Sequence, residues 1–244
     1  MKMPETIPGL PVTLYHNEKA ETLAATVAAR VAGQLRQTLA QQSEALLVVS
    51  GGTTPGAFLG ELSIAELDWA RVHVVPSDER WVAEDDPARN SRMIRQSLLQ
   101  QRAAGASFHE LLAEGQPAPG IAAAEASNRL QALPWPASVV VLGMGEDGHT
   151  ASLFPDAPEL EAGLADNAPL VVAMSPLSQP TARLSLSARA LSGAGATVLL
   201  VQGEDKRRAL EQALAQPDAI SERPIRVFFR QPLEIFWCPG ESLR

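Results

Sequence analysis

Short, mostly apolar runs that empty into glycine-rich or polar loops constrain this chain more than any other feature. Ala45–Val49 (ALLVV), Arg71–Val75 (RVHVV) and Val139–Leu142 (VVVL) read as buried strands. Between them lie stretches with helical spacing. After a strand at Val12–Tyr15, Asn17 is placed to cap a helix to about Gln41, with Leu23, Val27, Val31, Leu35 and Leu39 on one face. Pro55 is expected as the first residue of the next helix, where proline is tolerated because no donor is needed. Helices are also predicted over Asn90–Gln101 and Asp205–Ala215, and strands at Leu170–Ala173, Ala196–Val201 and Leu233–Trp237. This alternation implies an α/β fold with a mostly parallel, doubly wound, Rossmann-like sheet and helices on both faces.

A chain of 244 residues lies near the upper size for one hydrophobic core, so a single α/β domain over 1–244 is expected. EGQPAPG at 114–120 and PWP at 134–136 read as loops too short to separate domains. The formal net charge of −8 gives no general attraction for phosphate backbones or anionic membranes, so an anionic ligand must be held by a few local cations. No nucleic-acid or membrane partner is expected. The single cysteine, Cys238, excludes an internal disulfide and a cysteine-rich metal cluster and reads as a packing residue. The first residues, MKMPETIPGLP, have no apolar core of signal-peptide length, and no apolar run approaches a membrane span, so a cytoplasmic protein is expected.

The loops at the strand ends are where open α/β sheets place chemistry. In VVVLGMGEDGHTASLFP (Val139–Pro155), Gly143, Gly145 and Gly148 permit a sharp turn that carries Asp147 and His149 just past the strand. GMGEDG also fits the G-x-G-x-x-G dinucleotide pattern, but Pro155 soon interrupts the helix that pattern needs, and the next strand ends VVAMSP without an acidic residue. In SGGTTP, Gly51, Gly52, Thr53 and Thr54 lie between a strand and a helix, where free amides and hydroxyls can face an anion; a plain turn with Thr54 as helix cap is the alternative. Arg183 and Lys206 are candidate cations for that anion, each of which could equally be solvated surface charge. Asp78, Glu79 and Arg80 form a charged loop after a strand, able to orient polar substrate groups or simply to face solvent. His16 is expected in a turn, His73 in a strand and His109 in a helix or loop, with no metal-ligand spacing among them, so no metal site is predicted. No G-x-S-x-G elbow occurs, and Cys238 has no cationic neighbour in sequence that would activate it.

Taken together and in this order, SGGTTP, PSDERWVAEDDPARNSRM, GMGEDGHTASLFP, TARLSLSARAL and VQGEDKRRAL resemble the 6-phosphogluconolactonases of the pentose phosphate pathway, over about Val12 to Trp237. The resemblance implies hydrolysis of 6-phospho-D-glucono-1,5-lactone to 6-phospho-D-gluconate with no metal or organic cofactor. The fold is similar to that of glucosamine-6-phosphate deaminases, which typically carry DEY where this chain has Asp78, Glu79 and Arg80, and IAFNEP where it has ASLFP. Those differences favour the lactonase. By resemblance, His149 is the general base, Arg80 or a backbone amide stabilises an oxyanion, and Asp147 and Asp78 belong to the catalytic group. Gly51, Gly52, Thr53, Thr54, Glu79, Arg183 and Lys206 would hold the phosphate or the sugar rim. A sugar-phosphate sensor without turnover is the other reading; it would normally need a DNA-reading domain, for which the chain has neither spare length nor a basic recognition helix. The expected partner is a small sugar-phosphate lactone, and the protein is expected as a monomer or small homo-oligomer.

Overall fold

The computed structural model describes residues 4–113, 115 and 118–240, without the side chains of Thr53 and Thr54. In chain order the elements are β1 (Glu5–Thr6), β2 (Val12–His16), α1 (Ala20–Gln41), β3 (Ala45–Val49), α2 (Thr53–Ser63), β4 (Val72–Pro76), β5 (Asp78–Arg80), α3 (Asn90–Ser97), β6 (Ser107–Phe108) and α4 (Pro119–Leu130). They continue with β7 (Val139–Gly143), α5 (Leu160–Leu164), β8 (Val171–Met174), β9 (Arg183–Leu186), α6 (Ala188–Leu191), β10 (Ala196–Gln202), α7 (Glu204–Ala215) and β11 (Leu233–Cys238).

Among the described residues, eight strands form one sheet in the order β1-β2-β11-β10-β7-β3-β4-β6. Every pairing in it is parallel except that of β1 with β2. From the β3–β7 pair the sheet grows outward in two directions, through β4 and β6 on one side and β10 and β11 on the other. The pair is a topological switch point, and the loops that leave the two strands diverge there and open a crevice.

Alternate residues of the central strands feed two cores. Ala45, Leu47 and Val49 of β3 and Val139 and Val141 of β7 pack with the apolar faces of α1, α2 and α3. Leu46, Val48, Val140 and Leu142 pack on the other side with α4 and α7. Burial on both faces is the physical reason these strands read as continuous apolar runs.

A second, antiparallel sheet departs from the sequence expectation. Its order is β5-β9-β8, so the predicted loop at Asp78–Arg80 is a short strand, and the predicted strand at Leu170–Ala173 (β8) lies outside the parallel sheet. Three charged residues in a three-residue strand carry no apolar signature from which it could be read.

Several local expectations also change. Lys19, not Asn17, is the N-cap of α1 and makes no side-chain cap bond; Asn17 is buried and accepts a 3.3 Å bond from Thr26. Pro55 is the third residue of α2, not its first, because the helix already starts at Thr53. The helix from Asn90 ends at Ser97 and resumes as a 3-10 turn at Gln101–Gly105. Pro119 and Gly120, expected in a loop, open α4, with proline in the first turn where it displaces no helical bond; residues 114, 116 and 117 lie outside the described residues. His16 ends a strand, not a turn. His73 and His109, 36 residues apart, meet with Nδ1 and Nε2 3.0 Å apart because β4 and β6 are neighbours, a proximity that linear spacing does not reveal. No group of three or more His, Cys, Asp or Glu placed to hold a metal occurs among the described residues, and no described helix is long and apolar enough to cross a membrane.

Candidate functional site

An open cleft of about 550 Å³ lies over the carboxyl ends of β3 and β7, a volume in the range of small-molecule sites. Its walls come from far-apart segments: Gly51 and Gly52 after β3, Asp78 and Arg80 of β5, the turn from Gly143 to His149 after β7, Arg183 of β9 and Lys206 of α7. The structure thus brings together, on one cleft, residues that the sequence offers as separate candidates.

The turn after β7 is built around a close pair. His149 Nδ1 lies 2.6 Å from Asp147 Oδ1, which also accepts a 3.1 Å bond from the His149 backbone N–H. An ionised carboxylate can only accept, so Nδ1 carries the hydrogen and Nε2 is the basic nitrogen. Burial alone would raise the Asp147 carboxyl, but the hydrogen bond and charge of His149, with backbone N–H groups, outweigh it and hold the carboxyl below its ordinary range. Gly145 makes this possible: a Cβ there would overlap the His149 imidazole. The Gly145 N–H donates to the His149 carbonyl at 2.9 Å and closes the turn, and the Thr150 hydroxyl donates to the Gly143 carbonyl at 2.8 Å to tie it to β7.

Two arginines face the cleft from paired strands, since Arg80 and Arg183 are direct partners in the β5–β9 register. Like charges opposite one another destabilise a sheet unless something lies between them. Burial pushes the Arg183 guanidinium down, Asp78 and Glu79 counter that, and Arg80 adds to it. The Nε of each arginine is buried without a hydrogen-bond partner. Arg80 is otherwise anchored through a 2.7 Å bond to the Ala88 carbonyl, and Arg183 through one of 2.7 Å to Gln179. Lys206 lies in the first turn of α7, half-buried at the cleft, and has neither hydrogen bond nor ion pair among the described residues.

Glu79 does not reach the cleft, contrary to the sequence expectation. Its neighbours on β5, Asp78 and Arg80, take the cleft side, because successive strand residues point to opposite faces. Glu79 is 0% exposed; Oε1 accepts from the Arg80 and Asn90 amides and Oε2 from the Ser91 amide, each at 2.8 Å, and the Ser91 hydroxyl adds a fourth bond. Burial pushes its carboxyl up, and these bonds partly oppose the shift. Arg89, itself buried, lies 3.7 Å from it and 3.2 Å from Glu110. Glu79 therefore fixes the start of α3 against β5.

Asp78 does line the cleft, yet its carboxylate is engaged from behind by the hydroxyls of Ser77 at 2.9 Å and Ser152 at 2.7 Å. Ser152 and Asn90 are structural members of the site that sequence reasoning missed. Asn90 donates to the Asp78 carbonyl at 2.9 Å and packs so close to Gly51 that a Cβ at that glycine would overlap its amide. The DPARN segment gives no sign of this beyond marking a helix start. The Thr53 and Thr54 hydroxyls, expected at the anion, lie outside the described residues, whereas the backbone places both in the first turn of α2, whose N-terminus adjoins the cleft.

Residues 18–237 match the family described as glucosamine-6-phosphate isomerases/6-phosphogluconolactonase. A 6-phosphogluconolactonase of Pseudomonas aeruginosa is 43% identical over 242 residues, covering 98% of both chains. Another, of Mesorhizobium japonicum, is 41% identical over 89% of this chain and 91% of its own. Among solved structures, a 6-phosphogluconolactonase from Shewanella baltica superposes with a TM-score of 0.90 at 37% identity, over 96% of this chain and all of that one. A monomeric glucosamine-6-phosphate deaminase, 15% identical, has a TM-score of 0.74 and shares the fold alone. With the matched span, the identity and the superposition in agreement, this chain belongs to the glucosamine-6-phosphate isomerase/6-phosphogluconolactonase family, among its 6-phosphogluconolactonases.

Proposed function

We propose that the protein hydrolyses 6-phospho-D-glucono-1,5-lactone to 6-phospho-D-gluconate, the lactone-opening step of the pentose phosphate pathway, with His149 as general base on water. The observation that carries the reading is the Asp147–His149 pair on the same cleft as Arg80, Arg183 and Lys206. An imidazole with one nitrogen held by a carboxylate presents the other in a defined tautomer, ready to take a proton from water. The water oxygen attacks C1 and the carbonyl π pair moves onto oxygen. The oxyanion then collapses, the bond from C1 to the ring oxygen breaks, and the imidazolium returns its proton to that oxygen.

Arg80 or a backbone amide of the glycine turn stabilises the tetrahedral oxyanion, worth about 3 kcal/mol for one well-placed donor. Arg183, Lys206 and the amides of Gly51 and Gly52 hold the phosphate and the polar rim of the sugar, and the positive end of α2 adds to their field. A bound anion would also relieve the opposition of two arginines across β5 and β9. Asp78 acts at one remove, fixing Ser152 and countering the charge of Arg183.

The test is hydrolysis of freshly generated 6-phosphogluconolactone, run beside glucosamine 6-phosphate and unphosphorylated gluconolactone, with the spontaneous rate subtracted. Turnover of the phosphorylated lactone alone is expected. Release of ammonia from glucosamine 6-phosphate would transfer the chain to the isomerase branch, and stabilisation by 6-phosphogluconate without turnover would make it a sensor.

A further inference from the structure

The sequence ASLFP, which follows the Asp147–His149 turn, contributes a contact that has no part in the proposed bond changes. Phe154, 2% exposed, stacks on the His149 imidazole with ring centroids 3.9 Å apart and planes inclined by 19°. The Arg183 guanidinium carbon lies over the same ring, 5.3 Å from its centroid. One benzene ring thus supports both the candidate base and the most buried candidate cation. The ring itself is seated in a small core with Leu153, Leu160, Val172, Met174 and Ala188, which ties it to the second sheet.

We propose that Phe154 is a positioning residue for His149: its π face holds the imidazole in one plane over the cleft and stabilises it once it has taken a proton, while keeping that charge apart from Arg183. This rests on His149 being the base. An aromatic face attracts cations, so the stack is stronger for imidazolium than for neutral imidazole. The other groups that bear on the ring's charge are Asp147 from its own turn, Asp78 and Arg80 from β5, Arg183 from β9, Lys206 from α7, and Glu146 at the cleft rim. Asp147 is the carboxylate in contact with the imidazole, and the three cations share its cleft. Phe154 is the apolar partner that favours the protonated state, and only while it keeps its π electrons.

The test replaces Phe154 with phenylalanines carrying one, two and three ring fluorines, which weaken the π face at nearly constant shape, alongside Phe154→Leu. Expected across the fluorinated series is a stepwise move of the acid limb of the kcat profile to lower pH, by about half a unit in total. Phe154→Leu is expected to lower kcat about tenfold with KM held within about twofold. The ring-proton signals of His149, read by NMR without substrate and identified by their loss in His149→Gln, should move downfield in Phe154→Leu as the stacked ring's shielding is removed. An acid limb that stays put through the series, or a leucine variant that changes KM alone, overturns the proposal. The NMR readout needs no turnover, so it separates failure of the stack from failure of His149 as base.

Discussion

His149 is held from three sides: by the Asp147 carboxylate at Nδ1, by the Phe154 ring on its face, and by the Gly145 backbone, where a side chain would collide with the imidazole. A residue so constrained is suited to moving a proton at a fixed point, and its removal should act on chemistry, not affinity. His149→Ala is expected to lower kcat by about 10²- to 10⁴-fold with KM little changed, whereas Lys206→Ala, which removes a charge with no partner among the described residues, should raise KM and leave kcat near its original value. Steady-state kinetics with the spontaneous rate subtracted check both; an unchanged kcat in the histidine variant removes the base assignment. Asp147 gives a pH signature. Its carboxyl is held below the ordinary aspartate value in the folded protein, so it contributes stability that is present above that value and lost as pH falls through the depressed one. The stability gap between the wild type and Asp147→Asn should accordingly be full near neutrality and close in acid, as urea unfolding at several pH values would measure. Asp147 and His149 were legible from sequence because the glycines around them mark a turn. The pairing of Arg80 with Arg183 was not, because it depends on a strand register.

At the scale of elements, the turns that follow β3, β7 and β10 at the rim of the parallel sheet are legible from the apolar runs that precede them, whereas the expected loop after β4 is strand β5. The second sheet was missed, and with it the reason for Glu79. Strand β5 consists of Asp78, Glu79 and Arg80; the two carboxylates take their hydrogen bonds within the protein, and Arg80 lines the cleft. The start of α3 depends on this: the Asn90 and Ser91 amides, which lack helical partners, donate to Glu79. Arg89 is the buried cation between Glu79 and Glu110, and its loss would leave buried Glu79 without its ion-pair partner. Arg89→Ala is expected to destabilise the protein by about 3–5 kcal/mol. Chemical denaturation checks this, and a change below about 1 kcal/mol would mean that Glu79 is neutral or finds another partner.

Across the whole molecule, fold class was the most legible property, since strands buried on both faces are mostly apolar and helices between them imply crossovers. Strand order was not legible, because no pattern along the chain states which strands become neighbours. The order has a further consequence. The inner edge of Val12–His16 pairs with Leu233–Cys238, and between it and Ala45–Val49 stand three strands that all come from beyond residue 138. During synthesis, a ribosome that has released two thirds of this chain has therefore emitted an early strand whose berth does not yet exist. The inner edge of that strand has no partner until Leu233–Cys238 emerges to receive it.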